Sequence, residues 1–279
     1  MRKIVVFLLP ALIAAGFLCP ACQKAPASVE AGGTDAGEQQ STGELRTLLK
    51  REEPGHKTTV VIDPGHGFGD VGAAGPETPL GCYEYELTAE MGLTLRDYLE
   101  ERGYIVYMTH DGSTFPSLSE IRALADQYGV AYDTEKSQWE DNHIFSPYER
   151  VIYMNCLDAM VGVDFAISVH VNANAQSEDI SGFDLDYCAQ NDWSAESRVF
   201  AQALKDKLQS AYPDSNLWYY EDSWDEAFIV TKFNTMPSAL LETGYYTNPE
   251  DVENLKKKSW RDSLMQRVAE AIDAVFTED

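Results

Sequence analysis

The sequence TTVVIDPGHG, which runs from Thr58 to Gly67, carries the clearest structural signal in this chain. Its first five residues are all β-branched, and Pro64-Gly65 follows them as a turn. A short continuous run of this kind, closed by Pro and Gly, is typical of a buried strand. The pattern therefore predicts a strand that ends in a tight turn, with His66 just beyond its carboxyl end.

Strand-like and helix-like segments alternate along the rest of the chain. Four further segments have a strand-like composition: Tyr104 to Thr109, Asp164 to His170, Gly182 to Cys188 and Pro237 to Glu242. Apolar residues recur every four positions from Leu87 to Leu99 and again from Trp260 to Ile272, which is the spacing of an amphipathic helix. This alternation predicts an α/β fold: a single domain with a mostly parallel or mixed central β-sheet and helices on both faces.

The segment from Phe115 to Phe145 is the least regular part of the predicted domain. An apolar helical fragment from Leu118 to Tyr128 is followed by an acidic loop. The sequence leaves open whether this segment covers a cleft, docks a partner or only decorates the surface.

The N-terminus has the features of an export signal. Met1 to Lys3 carries two positive charges, and Ile4 to Leu18 is a largely apolar, uncharged run. That run is shorter than the roughly 20 residues needed to cross a bilayer. The stretch from Leu18 to Cys22 resembles a bacterial lipoprotein cleavage site, although Cys19 stands where an aliphatic residue is usual. We expect an export signal over residues 1–21 and a lipid anchor on Cys22, with plain secretion or a retained N-terminal anchor as alternatives.

Composition changes again after the export signal. Residues 23–44 are rich in Ala, Gly, Ser, Thr, Gln and acidic residues, a mixture that cannot bury enough apolar surface to offset the entropy of ordering. We predict a flexible tether over residues 22–57 and one folded domain over residues 58–279. Each alternative for the N-terminus places that domain outside the cytoplasm.

The net charge bears on the kind of partner, and the number of cysteines bears on disulfide bonding. The formal net charge is −25, which argues against nucleic acid as a partner. Cys82, Cys156 and Cys188 remain after the export segment, and an odd number gives no complete disulfide framework. We expect Cys156 and Cys188 to be small core residues.

Titratable residues collect just beyond the predicted strands. In α/β sheets functional groups gather at the carboxyl ends of strands, where His66, His170 and Glu242 fall. Glu84 lies near the start of the first predicted helix, where the helix dipole favours a carboxylate. Taken singly, His66 is better explained as a structural residue and Glu84 as an exposed residue of the first helical turn, and His170 is ambiguous. Glu242 is harder to explain in this way, because an acid that ends an apolar strand faces desolvation.

Together these four residues form the set that a catalytic zinc ion requires. Zinc in hydrolases commonly takes three His or Asp/Glu ligands and keeps a fourth position for water. The pKa of that water falls to roughly 7, and a nearby glutamate can accept its proton. The sequence therefore predicts one Zn²⁺ ion and a hydrolytic reaction.

Five motifs, taken in order, resemble those of a known family, the zinc-dependent N-acetylmuramoyl-L-alanine amidases of the amidase-3 type. The motifs are Val60 to Gly67, Glu84 to Thr88, Arg150 with Asn155, Ser168 to Ala173, and Leu241 to Asn248. Their order and spacing agree over nearly the whole predicted domain. The resemblance implies hydrolysis of the amide between N-acetylmuramic acid and L-alanine in peptidoglycan.

The resemblance also implies roles for individual residues. It makes His66, Glu84 and His170 the zinc ligands and Glu242 the catalytic acid and base. The family usually has Glu-Lys where this chain has Glu84-Tyr85-Glu86, so Glu86 is an alternative ligand. Counting back along the helix from its predicted end at Gly103 favours Glu84.

Three further residues are candidates for contacting the substrate or supporting the ligands. They are Arg150, Asn172 and His110, the last of which stands where the family usually has arginine. We expect two partners, peptidoglycan and a membrane reached through Cys22, and the sequence leaves open whether a regulatory protein also binds. The sequence leaves two alternatives open: another zinc hydrolase of wall material, such as a stem-peptide peptidase or a deacetylase, or a catalytically silent wall-binding lipoprotein.

Overall fold

The computed structural model describes residues 57–137 and 145–277. The predicted export signal, the acylation of Cys22 and nearly all of the predicted tether lie outside the described residues. None of the described helices combines the length and the apolarity needed to cross a bilayer.

The described part of the chain contains six strands and seven helices. The strands are β1 (Thr59–Pro64), β2 (Ile105–Met108), β3 (Phe165–Asn172), β4 (Phe183–Cys188), β5 (Leu217–Asp222) and β6 (Ser238–Tyr245). The helices are α1 (Glu84–Glu101), α2 (Leu118–Tyr128), α3 (Pro147–Val161), α4 (Ser194–Ala211), α5 (Ile229–Lys232), α6 (Pro249–Leu255) and α7 (Lys258–Phe276).

The six strands form one mixed sheet in the order β2-β1-β3-β6-β4-β5. Strands β2, β1, β3 and β6 are parallel, β4 runs antiparallel to β6, and β5 is parallel to β4. The carboxyl ends of β1, β3 and β6 therefore share one edge of the sheet, where β4 and β5 begin. The prediction of a single α/β domain with a mixed sheet is confirmed.

Each face of the sheet carries its own core, because successive side chains of a strand point to opposite faces. On one face Ile62 packs in a buried cluster with residues of α1, α4 and α7. On the other face Val61 packs in a second cluster with residues of α2 and α3. Helices on both faces were predicted and are confirmed. Cys156 and Cys188 are buried, as expected of small core residues.

Helix α1 follows from the spacing of its apolar residues. Leu87, Met91, Leu95 and Leu99 are all buried against the sheet. Gly103 follows the helix with φ +91°, a left-handed conformation that ends the helical path at little steric cost. The helix begins at Glu84, so this carboxylate belongs to the first turn.

Two predicted strand ends were wrong, and β5 was not predicted. Strand β3 continues past His170 to Asn172, and β6 continues past Glu242 to Tyr245, because the two strands keep pairing after an irregularity and align Asn172 with Tyr245. Glu242 therefore lies within a strand and not at its end. Strand β5 lies at an edge of the sheet and is mostly half-buried, so it lacks a continuous apolar run.

The irregular segment contributes to the core. Helix α2 has the predicted bounds, with a capping box between Ser117 and Glu120 at its start and Gly129 in the left-handed region at its end. Its Ile121 and Ala125 are buried in the second cluster. This helix is thus a packed element of the domain.

Candidate metal centre

Three of the four residues singled out from the sequence meet at the carboxyl edge of β1 and β3. His66, Glu84 and His170 each offer one ligand atom, and these atoms all lie within 4.8 Å of one another. They come from the turn after β1, from the first residue of α1 and from β3. Such a group could hold a metal ion.

Two of the three separations between ligand atoms are close to those around a tetrahedral ion. Glu84 Oε1 lies 3.1 Å from His66 Nε2 and 3.3 Å from His170 Nδ1. Ligand atoms bound to a tetrahedral zinc ion at about 2.0 Å are separated by roughly 3.3 Å. The two imidazole rings meet edge to face, with centroids 4.8 Å apart. The donor set and its spacing therefore suit zinc.

The turn after β1 aims His66 at the other two residues. His66 has φ +66°, a left-handed conformation that is unusual for a residue with a side chain. Asp70 Oδ2 lies 2.8 Å from His66 Nδ1, which leaves Nε2 facing Glu84. A carboxylate on the second ring nitrogen is the usual way to orient a metal-binding histidine. Asp70 was not predicted, although its position four residues after His66 is a usable signal.

Glu84 is held through both of its carboxylate oxygens. Oε1 accepts a hydrogen bond from the backbone N–H of Val171 at 3.0 Å, and Oε2 accepts one from Ala73 at 2.8 Å. The side chain is 1% exposed. Glu86, the alternative ligand, is exposed and accepts a hydrogen bond from the backbone N–H of Tyr83 at the start of α1. The structure brings Glu84, and not Glu86, to the cluster.

Two glycines make room for the ligands. A Cβ on Gly65 would lie 2.4 Å from the imidazole ring of His170, and a Cβ on Gly72 would lie 2.5 Å from Glu84 Oε2. Real Cβ atoms do not approach that closely, so a side chain at either position would displace a ligand. The glycines of this region therefore serve the approach of ligands as well as the turn itself.

The pKa of each of these three side chains depends on the charges of its neighbours. Burial lowers the pKa of His66, but Glu84 and Asp70 outweigh it and raise that pKa to about 10. Burial raises the pKa of Glu84, but the two histidines outweigh it and hold the pKa well below its usual value. Burial lowers the pKa of His170, despite its contact with Glu84. Glu84 is therefore a buried carboxylate that favours a cation beside it.

Glu242 lies next to this cluster in the sheet. In the strand register it pairs with His170 on one side and with Asp184 on the other. It is 4% exposed, and its Oε2 has no hydrogen-bond partner among the described residues. Burial, followed by repulsion from Glu84, Asp184 and Asp186, raises the pKa of Glu242 well above its usual value. This carboxyl is therefore protonated more readily than an exposed glutamate.

Asp184 is a neighbour of Glu242 that the sequence analysis missed. The Tyr245 hydroxyl and the Asn172 amide both donate to Asp184 Oδ2 at 2.6 Å. Asn172, a candidate for contacting substrate, therefore supports the strand pair beside Glu242. The alternating acids Asp184 and Asp186 within a strand that is otherwise apolar or aromatic were the available signal.

The other two candidates lie against the backbone of the turn. His110 Nε2 donates to the Pro64 carbonyl at 2.8 Å, and its Nδ1 accepts from the Gly112 N–H at 3.2 Å. Arg150 donates to the carbonyls of Pro64 and His66 at 3.2 and 3.3 Å. Both side chains are buried, and both contact the turn that carries His66.

Comparison with known proteins identifies the family. A sequence model of the Amidase_3 family, described as N-acetylmuramoyl-L-alanine amidase, matches residues 60–274. The chain belongs to this amidase family. The predicted family and the predicted enzyme class, N-acetylmuramoyl-L-alanine amidase, are thereby confirmed, and the other classes left open by the sequence are disfavoured.

Individual relatives support the same assignment. The chain is 28% identical over 219 residues to the germination-specific N-acetylmuramoyl-L-alanine amidase of Bacillus subtilis strain 168, covering 78% of this chain and 80% of the relative. It is 25% identical over 244 residues to the amidase AmiA of Escherichia coli K12, covering 81% of this chain and 79% of the relative.

A solved structure shares the fold. The CwlD amidase of Clostridioides difficile, determined in complex with the GerS lipoprotein, superposes with a TM-score of 0.59 at 17% identity, covering 80% of this chain and 100% of that one. At this identity the likeness shows a common fold and nothing finer.

Proposed function

We propose that this protein hydrolyses the amide bond between N-acetylmuramic acid and L-alanine in peptidoglycan. In this proposal one zinc ion is held by His66, Glu84 and His170, and Glu242 carries the proton. The single observation that carries the proposal is the convergence of two imidazoles and a buried carboxylate beside a second buried carboxyl, in a chain of the amidase family.

The donor set supports zinc over harder cations. Two nitrogens and one carboxylate oxygen form the ligand set that zinc takes in hydrolases, whereas Mg²⁺ and Ca²⁺ prefer oxygen ligands. A zinc ion bound here would supply a Lewis acid for the amide carbonyl and lower the pKa of a coordinated water to roughly 7. The protein supplies the orientation of the ligands and a group that moves protons.

Glu242 is the proton carrier in this proposal. Its carboxylate would accept a proton from the attacking water and then donate it to the nitrogen of the leaving L-alanine. The raised pKa of Glu242 keeps the protonated form within reach after the first step. The products are a stem peptide with a free N-terminal alanine and an uncut glycan strand.

We also propose that the domain acts outside the cytoplasm, attached to a membrane by a lipid on Cys22. The export features of residues 1–21 and the composition of residues 22–57 support this placement. A flexible tether of that length has a root-mean-square reach of roughly 35 Å, enough to let the domain move away from the membrane surface.

Product analysis tests this proposal. The full chain, purified in detergent, would be incubated with peptidoglycan, with and without a chelator, and the products identified by mass spectrometry. We expect peptides with N-terminal alanine, intact glycan, loss of activity with the chelator and recovery on adding zinc. Cleavage within the stem peptide, loss of acetyl groups from the glycan or indifference to the chelator would overturn it.

A further inference from the structure

Arg150 lies directly beneath the turn that carries His66. It is 1% exposed and is among the largest fully buried side chains of the described residues. Its Nη1 donates to the carbonyl oxygens of Pro64 at 3.2 Å and His66 at 3.3 Å. One guanidinium nitrogen thus fixes the peptide units on both sides of Gly65-His66.

The conformation of the turn explains why such support is needed. His66 and Phe68 both have positive φ, at +66° and +51°. Residues with a Cβ pay a steric cost in this region, so they remain there only when the surroundings hold them. If the turn relaxed to negative φ, the imidazole of His66 would swing away from Glu84 and His170.

The charge of Arg150 is balanced by a buried partner, Asp63, which also contacts β3 and the residue that follows β2. Arg150 Nε lies 3.4 Å from Asp63 Oδ1, and Asp63 is fully buried. Asp63 also accepts hydrogen bonds from the Thr109 hydroxyl at 2.7 Å and from the Ser168 hydroxyl. Because a buried ion pair is costly to desolvate, it is weak evidence for stability, and in some proteins it is retained to fix a geometry.

Other side chains hold the same turn from its sides. His110 shares the Pro64 carbonyl with Arg150 and meets the Phe68 ring edge to face, with centroids 5.3 Å apart. Phe68 in turn packs on Phe115, with ring centroids 3.8 Å apart. The turn is therefore restrained from several directions, and Arg150 restrains it through the carbonyls of both Pro64 and His66.

We propose that Arg150 is a positioning residue for the metal centre: by holding the carbonyls of Pro64 and His66 it keeps His66 Nε2 directed at Glu84 and His170. This inference rests on the metal-binding part of the proposed function. It assigns Arg150 to the support of a ligand, and not to contact with substrate.

The test is the zinc affinity of Arg150→Met, measured on the full chain by competition with a chromophoric chelator. Methionine has a similar length but offers no donor, so both carbonyls lose the hydrogen bond from Arg150, and the Pro64 carbonyl keeps the one from His110. Loss of a partner that orients a ligand typically weakens metal binding 10- to 100-fold, and we expect a fall in that range. Arg150→Lys should recover part of the affinity, because its ammonium can reach one carbonyl and still neutralise Asp63.

Arg261→Met provides a matched control. Arg261 is also buried, and it donates to the backbone carbonyl of Leu255 and to Glu90 Oε2 at 2.7 Å. It contacts none of the three proposed ligands among the described residues. Its loss should lower the unfolding temperature but leave zinc affinity within about twofold of the unchanged chain.

Equal zinc affinity of folded Arg150→Met and Arg261→Met would overturn the inference. If Arg150→Met does not fold, Arg150→Lys decides: affinity equal to that of the unchanged chain would overturn the inference, and a several-fold fall would support it. The absorption spectrum of the cobalt-substituted proteins gives a second readout, since a displaced His66 should change it in Arg150→Met and not in Arg261→Met. An unchanged chain that binds no zinc would refute the proposed function itself.

Discussion

Two neighbouring groups at this edge of the sheet differ in the hydrogen bonds that their polar atoms make. One is the cluster of His66, Glu84 and His170, and the other is Glu242. Both carboxylate oxygens of Glu84 accept backbone hydrogen bonds, and Nδ1 of His66 is paired with Asp70. Glu242 is as deeply buried, yet its Oε2 has no hydrogen-bond partner among the described residues. Both regions lie at the same edge of one sheet, so burial alone does not separate them.

This contrast agrees with the two roles proposed for these residues. A metal ligand must be fixed in place before the ion arrives, which requires partners for the atoms that do not bind the metal. A proton carrier must change its charge during the reaction, and a carboxyl tied to several donors would have its pKa held low. The hydrogen-bonded cluster suits metal binding. Glu242, whose Oε2 has no hydrogen-bond partner among the described residues, suits proton transfer.

The largest expected effect comes from Glu242→Gln. Glutamine keeps the shape of the side chain but cannot carry a proton, so turnover of peptidoglycan should fall by about 10²- to 10⁴-fold. Zinc affinity should stay close to that of the unchanged chain, because Glu242 is not among the proposed ligands. Product release measured by chromatography, alongside chelator competition, checks both expectations. Unchanged turnover in this variant would remove Glu242 from the mechanism.

Glu84→Ala should have the next largest effect, on zinc binding itself. Removal of a ligand should weaken zinc binding by more than the roughly 100-fold typical of losing a supporting partner. Glu86→Ala is the control, since Glu86 is exposed and only caps α1. It should cost about 1 kcal/mol of stability and leave zinc bound. The opposite ranking, measured by chelator competition, would make Glu86 the ligand.

Asp70→Asn should have a smaller effect on the same measurement. The variant weakens the contact that orients His66, so we expect zinc affinity to fall about 10- to 100-fold. Asp111→Asn is a suitable control, because Asp111 also accepts local hydrogen bonds, from the backbone of Ser113 and Thr114, in an exposed loop. A result in which the two aspartate variants bind zinc equally well would show that Asp70 does not orient the ligand.

Much of the architecture could be predicted from local patterns. Strand β1 is a β-branched run closed by Pro and Gly, and α1 repeats an apolar residue every four positions, so each pattern identifies its element without tertiary information. The cluster could be placed because His66 and His170 fall near the carboxyl ends of neighbouring parallel strands. The metal-ligand and catalytic roles of these residues remain predictions.

The features of the fold and the site that could not be predicted from the sequence depend on contacts between distant segments. The antiparallel direction of β4 and the edge strand β5 are set by the packing of the whole sheet, and the half-buried residues of β5 give no apolar run. Glu242 was placed at a strand end because pairing between Asn172 and Tyr245 is not visible in either segment alone. The contact between Arg150 and His66 joins residues 84 positions apart, and no local pattern reports it.

The most direct test of this account is the location of the metal by anomalous diffraction at the zinc absorption edge, from crystals grown with zinc. The account predicts one anomalous peak about 2.0 to 2.1 Å from His66 Nε2 and His170 Nδ1, with a Glu84 oxygen about equally close. A peak at another group of residues, or a zinc-loaded crystal with no peak among these three side chains, would contradict it.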